Sequence, residues 1–365
     1  MAAAAVQTAL HTPVPAIRGV KTTPMGKPKF QLPLQRPLPP AAYFKSPFDP
    51  FKHLAYHTMP ARHTMADIGL ENQGISTIGV SEPFELFTPE AVCTMRNEVL
   101  SDEVWDNCRF SSSIAACQLR GMAPQYAKFV YDAWSNPETL RIVSEIAGVD
   151  LVPVMDYEIA HINVSVNDNP DGENQAAPVV NWHRDSYPFV CVLMLSDASE
   201  MKGGETALKT GSGEIMKVRG PQMGSAVVLQ GRYIEHIALP STNCRERITM
   251  VTSFRPKNPI IADDSQLLTV RPVSDLSEIY NQWTDYRVEI AEERCKSLIK
   301  GIREKKRVGR DFDVDGVKGQ LSDLIKFLQK THDEIVDPAQ YQINDSEEER
   351  EEQASTRMKK RARMT

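Results

Sequence analysis

PFVCVLMLSD (188–197), ETALKTG (205–211), GEIMKVR (213–219), GSAVVLQG (224–231), HIALP (236–240) and RITMVTSFRP (247–256) follow one another closely, with Gly, Pro, Asn or Asp between most of them. Upstream, DLVPV (150–154), YEIAHINVSV (157–166) and PVVNWH (178–183) have the same character. Many short apolar runs bounded by turn formers read as strands. No helical stretch separates them, so βαβ units are ruled out and the spacing predicts an antiparallel barrel or sandwich, core about 149–256.

The flanks read differently. Loose alternation in ISTIGV (75–80) and FELF (84–87) marks the expected start of order. Thr88-Pro89-Glu90 is a helix start, with Thr as N-cap, Pro in the first turn and an acid beside the helix dipole. That helix is expected through AVCTMRNEVLSDEVWD (91–106). A second is expected over PQYAKFVYDAWS (124–135), and a third from Asn136-Pro137-Glu138 to a stop at Gly148. Beyond Ser274, the segments 276–307 and 320–335 combine many charges with apolar residues at helical intervals.

Four regions follow from these shifts. Residues 1–74 form a Pro-rich arm expected to be largely disordered: the first fifty residues hold ten of the 25 prolines and no acid before Asp49. A basic, acid-free start has the composition of a transit peptide, yet its prolines forbid the amphipathic helix such peptides need. Residues 75–274 form the main domain, 275–340 a helical extension, and 341–365 a charged tail expected to be disordered.

Bulk composition excludes several classes. With 42 basic and 48 acidic residues the net charge is −6, which argues against a general nucleic-acid binder. The longest apolar run, Phe189 to Leu195, is far short of the roughly 20 residues of a membrane helix. The six cysteines show no CxxC pair or zinc-ribbon spacing and are expected as free thiols. No export signal is visible, so the cytoplasm is the default location, with nucleus and mitochondrion left open. The basic clusters at 303–310 and 359–363 have acidic neighbours and no interleaved aromatics, and read as a solvated helix face and a tail.

The chemistry concentrates in a few residues. In an extended chain His183 and Asp185 point to the same side and can grip one ion, with His236, fifty-one residues after Asp185, brought in by a later strand. Two imidazoles and a carboxylate on one face of a metal suit a non-heme Fe(II) oxygenase. Eleven residues after His236, Arg247 shares a face with Thr249 while Ile248 and Met250 turn away. A guanidinium buried there needs an anion, and a dicarboxylate held by Arg247 and Thr249 would supply one; an ion pair with a protein carboxylate is the structural alternative.

HxD…H…RxT, with Gly203-Gly204-Glu205-Thr206 between, resembles the iron(II)- and 2-oxoglutarate-dependent dioxygenase superfamily, most closely its prolyl-hydroxylase-like branch. The wider run WHRDSYPFVCVLMLSD with VRGPQMGSAVVLQGRYIEH is similar to a fungal group whose relatives tailor small molecules in secondary metabolism. The resemblance implies an α+β protein built on a double-stranded β-helix (a jelly roll, a cupin-like barrel) flanked by helices. It implies His183, Asp185 and His236 as iron ligands and catalytic residues, Arg247 on the distal carboxylate of 2-oxoglutarate, and Thr249 assisting. The co-substrates would be 2-oxoglutarate and O2, the metal Fe(II), with ascorbate as an accessory reductant. The reaction would release succinate and CO2 while hydroxylating, desaturating or cyclising a small organic substrate; the carboxylate at Asp185 speaks against halogenation.

Alternation from Tyr157 puts His161 and Asn163 on its face, and Tyr157 and Asn163 are expected to touch 2-oxoglutarate or substrate. His161 reads as a hydrogen-bonded barrel histidine, Tyr187 and Trp182 as packing, Gly203-Gly204 as a tight turn and Glu205 as structural. Two rival functions share this pattern: a prolyl- or lysyl-type hydroxylase acting on protein side chains, and a non-catalytic jelly-roll binding module. The expected partner is a small molecule, with neither nucleic acid nor membrane; oligomeric state is not encoded legibly.

Overall fold

The computed structural model describes residues 47–110, 117–166, 182–218, 222–244 and 246–337. All secondary structure within them belongs to a compact unit, Lys21–Ile335, which is α+β with antiparallel sheets. Strand Glu246–Pro256 shows how the layers arise. Its residues Ile248, Met250 and Phe254 join one core, while Arg247, Thr249, Val251 and Ser253 face a cavity on the other side. This is the two-residue period of a strand buried on both faces.

Its neighbours repeat the pattern. In Phe189–Met194 and Ser225–Leu229, the residues Phe189, Cys191, Leu193, Ala226 and Val228 pack with Trp134, Ile142, Val143 and Ile146 of the helical layer. Val190, Val227 and Leu229 face the other way and meet Leu208 and Val218 of a smaller sheet. Among the described residues the large sheet has ten strands, ordered Arg62–Thr64, Ile78–Ser81, Ser225–Leu229, Phe189–Met194, Glu246–Pro256, His161–Val166, Gln118–Leu119, Arg109–Phe110; Phe84–Glu85 and Leu151–Pro153 pair onto it from the side. The small sheet orders Ile215–Val218, Thr206–Lys209, His236–Ala238.

Two sheets facing across a shared interior are the antiparallel arrangement expected from the strand spacing, and the jelly roll implied by the resemblance. The expected barrel does not close, however: no ladder runs from one sheet into the other among the described residues, and the nearest approach to one is an isolated bridge between His183 and His236. Every strand segment read from the sequence contains a strand, apart from PVVNWH, of which only Trp182 and His183 are described.

Several boundaries differ from expectation, among them the start of the second C-terminal helix, at Val314 rather than at 320. The helix from Thr88 stops at Val99, because the Ser101 hydroxyl accepts from the Val104 amide and starts a second helix, Asp102–Asn107. The helix expected from Pro124 begins only at Lys128. Finally, residues 47–74, assigned to the arm, carry a helical turn (Pro50–His53) and an edge strand (Arg62–Thr64). Met65 and Ile68, each 2% exposed, supply enough apolar surface to be held in the second core. The rest of the arm, residues 1–46, and the tail lie outside the described residues.

Asn136 caps Pro137–Ala147 and Gly148 ends it in the left-handed conformation, as the sequence indicates. The two C-terminal helices, Leu276–Arg307 and Val314–Asp333, pack on each other. No helix among the described residues is long and apolar enough to cross a membrane. All six cysteines are free thiols.

Candidate metal centre

The His183–His236 bridge is the foundation of the site. The two residues exchange backbone hydrogen bonds (2.9 and 3.0 Å), which brings their rings to 4.4 Å between centroids. Two residues on, the Asp185 amide donates to the Gly231 carbonyl at 2.9 Å and turns the carboxylate inward. His183 Nε2 lies 3.4 Å from Asp185 Oδ1, and His236 Nε2 lies 3.5 Å from Asp185 Oδ2. Among the described residues these three form the one cluster whose donor atoms all lie within 4.8 Å of one another. Donors held ~2.1 Å from one ion at right angles stand ~3 Å apart, so little movement separates this arrangement from coordination.

The local chemistry fits a divalent transition metal. The second ring nitrogen of His236, Nδ1, sits 2.9 Å from the Ile234 carbonyl, a partner that requires a proton on Nδ1 and leaves Nε2 as a lone pair facing Asp185. Burial lowers the His236 pKa, only partly opposed by Asp185, so the ring is neutral at physiological pH. Burial pushes the Asp185 carboxyl up, but the adjacent His236 and His183 outweigh it and hold the pKa at about 2. Asp185 Oδ2 is buried with no protein hydrogen-bond partner, the orphaned acceptor a metal would satisfy. Two imidazoles and one carboxylate suit ferrous iron.

Gly231 makes room for this carboxylate. A Cβ at that position would stand 1.7 Å from Asp185 Oδ2, so no larger residue fits unless the carboxylate moves away.

The triad opens into a cavity of about 170 Å³ between the two sheets. Arg247 lines it and is 6% exposed. Its Nε has no hydrogen-bond partner, and among the described residues no carboxylate pairs with it. Burial lowers the pKa of the guanidinium, but an arginine retains its charge, and a buried unpaired cation is costly unless an anion joins it. Thr249 lines the same wall at 2% exposure. The Asn163 side chain, opposite Thr249 in the ladder, also faces the cavity, and its Oδ1 accepts from Gln118 Nε2 at 2.7 Å.

No family model and no curated protein matches the chain. Solved structures similar to it include a 2OG-Fe(II) oxygenase family oxidoreductase from Burkholderia pseudomallei, at 14% identity over 57% of this chain and 98% of that one, TM-score 0.36. AviO1 from Streptomyces viridochromogenes Tue57 is 16% identical over 55% and 98% of the two chains, TM-score 0.37. A Pseudomonas putida prolyl-4-hydroxylase is 16% identical over 53% and 99%, TM-score 0.33. The likeness is distant.

One expected site residue lies elsewhere. Tyr157 is not among the residues lining the cavity. It belongs to a 3-10 turn, Asp156–Glu158, and Ala160 takes a left-handed φ of 62°, so the alternation counted from Tyr157 is reset before the strand begins at His161. The Tyr157 ring packs on Gly121, and its hydroxyl accepts from the Asp275 amide at 2.8 Å, a contact that fixes the start of the long C-terminal helix. Arg184 is exposed, and Gly203 and Gly204 have the positive φ values (78° and 73°) of a tight turn.

Among the lining residues that sequence reasoning missed are Gln118, Arg120 and Glu158. Arg120 and Glu158, 2% and 0% exposed, form a buried ion pair. The available signal was the polar-apolar-polar triplet Gln118-Leu119-Arg120, whose period of two matches a strand with one face turned to a polar interior.

Proposed function

We propose that this protein is an Fe(II)- and 2-oxoglutarate-dependent dioxygenase that hydroxylates, desaturates or cyclises a small organic substrate and releases succinate and CO2. The observation that carries the reading is Arg247: a buried guanidinium without a counter-ion among the described residues, facing the cavity that holds two imidazoles and a carboxylate. In this reading His183, Asp185 and His236 hold the iron, which supplies the O2 and one-electron chemistry that side chains lack. Arg247 takes the distal carboxylate of 2-oxoglutarate, with the Thr249 hydroxyl beside it. Asn163, steadied by Gln118, offers a further polar contact. Val190, Val192, Val227 and Leu229 wall the cavity with apolar surface and keep water from the reacting centre.

The cavity also supports a small molecule over a protein side chain. Thr269, Val270 and Val273 of the segment before the C-terminal helices line it, and the Thr269 hydroxyl is joined to that of Ser186, also in the lining, at 2.6 Å. An open groove would suit a polypeptide; a concave cavity lined on this side by Thr269, Val270 and Val273 favours the small molecule.

The decisive experiment supplies purified protein with Fe(II), 2-oxoglutarate and ascorbate, and measures succinate. Slow release without primary substrate is expected. His183→Ala, Asp185→Ala and His236→Ala should each abolish it together with Fe(II) binding. Arg247→Ala should weaken 2-oxoglutarate binding by about 30-fold or more, the cost of losing a buried charge pair. Unchanged 2-oxoglutarate affinity in Arg247→Ala would refute the role given to that residue.

A further inference from the structure

The cavity has a second polar end. In the ladder Arg247 lies opposite Ser165 and Val251 opposite His161, so four residues of strand, ~13 Å, separate Arg247 from the level of His161. Gln118 pairs with Asn163 and Leu119 with Ile162; continuing that register sets Arg120 beside His161. Arg120, Glu158, His161 and Tyr187 all line the cavity there.

Each of the four carries a buried polar atom with no hydrogen-bond partner among the described residues: Arg120 Nε, Glu158 Oε2, His161 Nδ1 and the Tyr187 hydroxyl. The Tyr187 hydroxyl and the Glu158 carboxylate interact directly with each other, in a contact too long or too bent to satisfy either atom fully. A buried polar group is almost always satisfied, and four unsatisfied ones at one end of a cavity are unusual for a purely structural network. No hydrogen bond of the metal triad uses any of them.

The charges of this end cancel. Arg120 is matched by Glu158 in direct contact. His161 is neutral, because burial and the neighbouring Arg120 push its pKa down to about 3. An anion arriving here would meet the carboxylate of Glu158, and a cation would meet Arg120. What remains on offer is hydrogen bonding of both kinds: a donor from Arg120 Nε–H, an acceptor from Glu158 Oε2, and adaptable partners in His161 and Tyr187. The adjoining walls, Val190, Val270 and Val273 among them, are apolar.

We propose that Arg120, Glu158, His161 and Tyr187 form the recognition pole for the primary substrate, and that they select an uncharged group with a donor and an acceptor side by side, an amide or lactam, on an apolar body. The inference rests on the dioxygenase reading for its identification of the other pole, at Arg247, with the co-substrate. The two poles divide the work by charge: the unpaired guanidinium takes the anion, and the neutralised cluster takes the neutral amide.

The test uses the full chain and three ring-matched probes observed by ligand-detected NMR: piperidin-2-one (donor and acceptor), cyclohexanone (acceptor only) and cyclohexanecarboxylate (anion). Tyr187→Phe, which deletes one oxygen and keeps the ring, and His161→Phe are compared with the wild type. The readout is the preference for piperidin-2-one over cyclohexanone, which general loosening of the fold would not move selectively. The wild type should prefer the lactam, and each variant should lose about tenfold of that preference. Equal preference in wild type and variants, or tighter binding of cyclohexanecarboxylate than of the lactam, overturns the proposal. 2-Oxoglutarate with Mn(II) is titrated on the same wild-type sample. Failure of 2-oxoglutarate to bind, with the lactam preference intact, counts against the dioxygenase reading and leaves the recognition pole standing. Binding of 2-oxoglutarate with no lactam preference removes the pole alone.

Discussion

At Gly231 a single hydrogen atom decides whether a carboxylate can reach its partners. Gly231→Ala places a methyl group where Asp185 Oδ2 now sits, and the Asp185 amide bond to the Gly231 carbonyl prevents the backbone from stepping aside easily. The variant is expected to fold with near-native circular dichroism yet to lose metal affinity by 10-fold or more, ~1.4 kcal/mol, as read by Fe(II) or Mn(II) titration. Wild-type affinity in Gly231→Ala would show that Asp185 is not held as described. His161 gives a second prediction at this scale. Its imidazole takes a proton near pH 6.5 when the chain is unfolded, but only near 3 in the folded protein. Between those values the unfolded state binds more protons, so stability is full above 6.5 and declines as the pH drops toward 3. Urea midpoints of the metal-free protein should therefore fall between about pH 7 and about pH 4.5, and His161→Phe should shrink that fall. Parallel pH profiles for the two proteins would contradict the burial of a neutral ring.

At the scale of elements, one side chain ties residues 75–78 to the end of strand Ser225–Leu229. Gln230, 0% exposed, accepts from the Ile75 amide at 2.8 Å through Oε1. Its Nε2 donates to the carbonyls of Ser76 (2.8 Å) and Ile78 (2.6 Å). Gln230→Leu strands these backbone groups and is expected to cost ~3 kcal/mol, measured as a lower urea midpoint at unchanged slope. A loss below ~1 kcal/mol would mean that the segment is held by other contacts. Strands were legible wherever the two-residue period ran unbroken, as in Glu246–Pro256, and so were helices with local caps such as Thr88 and Asn136. The period misled at Tyr157, because a 3-10 turn and the left-handed Ala160 reset the alternation, and neither leaves a compositional mark. HxD…H and RxT were visible as spacings; the Arg120–Glu158 pair was not, since its members come from separate elements that meet only in the folded chain.

Across the whole molecule, the C-terminal helices brace the segment that lines one side of the cavity. Arg287, fully buried, donates to Thr331 Oγ1 (2.9 Å) and to the carbonyls of Asp263 (3.1 Å) and Phe327 (3.2 Å), and its guanidinium lies 3.5 Å from the centre of the Phe327 ring. Its Nη1 also stands 3.5 Å from Asp263 Oδ2. Arg287→Met leaves Asp263 as an unmatched buried charge and is expected to destabilise the fold by ~3–5 kcal/mol. Proteolysis should then open first between residues 257 and 275, ahead of the sheets. Cleavage elsewhere first would show that the brace is not needed there. The helical character of this region was plain from its periodicity, but its role was not: nothing local in 276–335 says that it reaches back to a segment beside the metal centre.

The reach is longest at Glu334. Its carboxylate accepts from the Leu267 amide at 2.8 Å and from Arg271 Nη2 at 2.7 Å, holding the stretch that supplies Thr269, Val270 and Val273. During synthesis His183 and Asp185 leave the ribosome about 150 residues, and His236 about a hundred, before this acid does. The nascent protein thus has its three ligands in hand before the acid that clamps one wall of their chamber has been made.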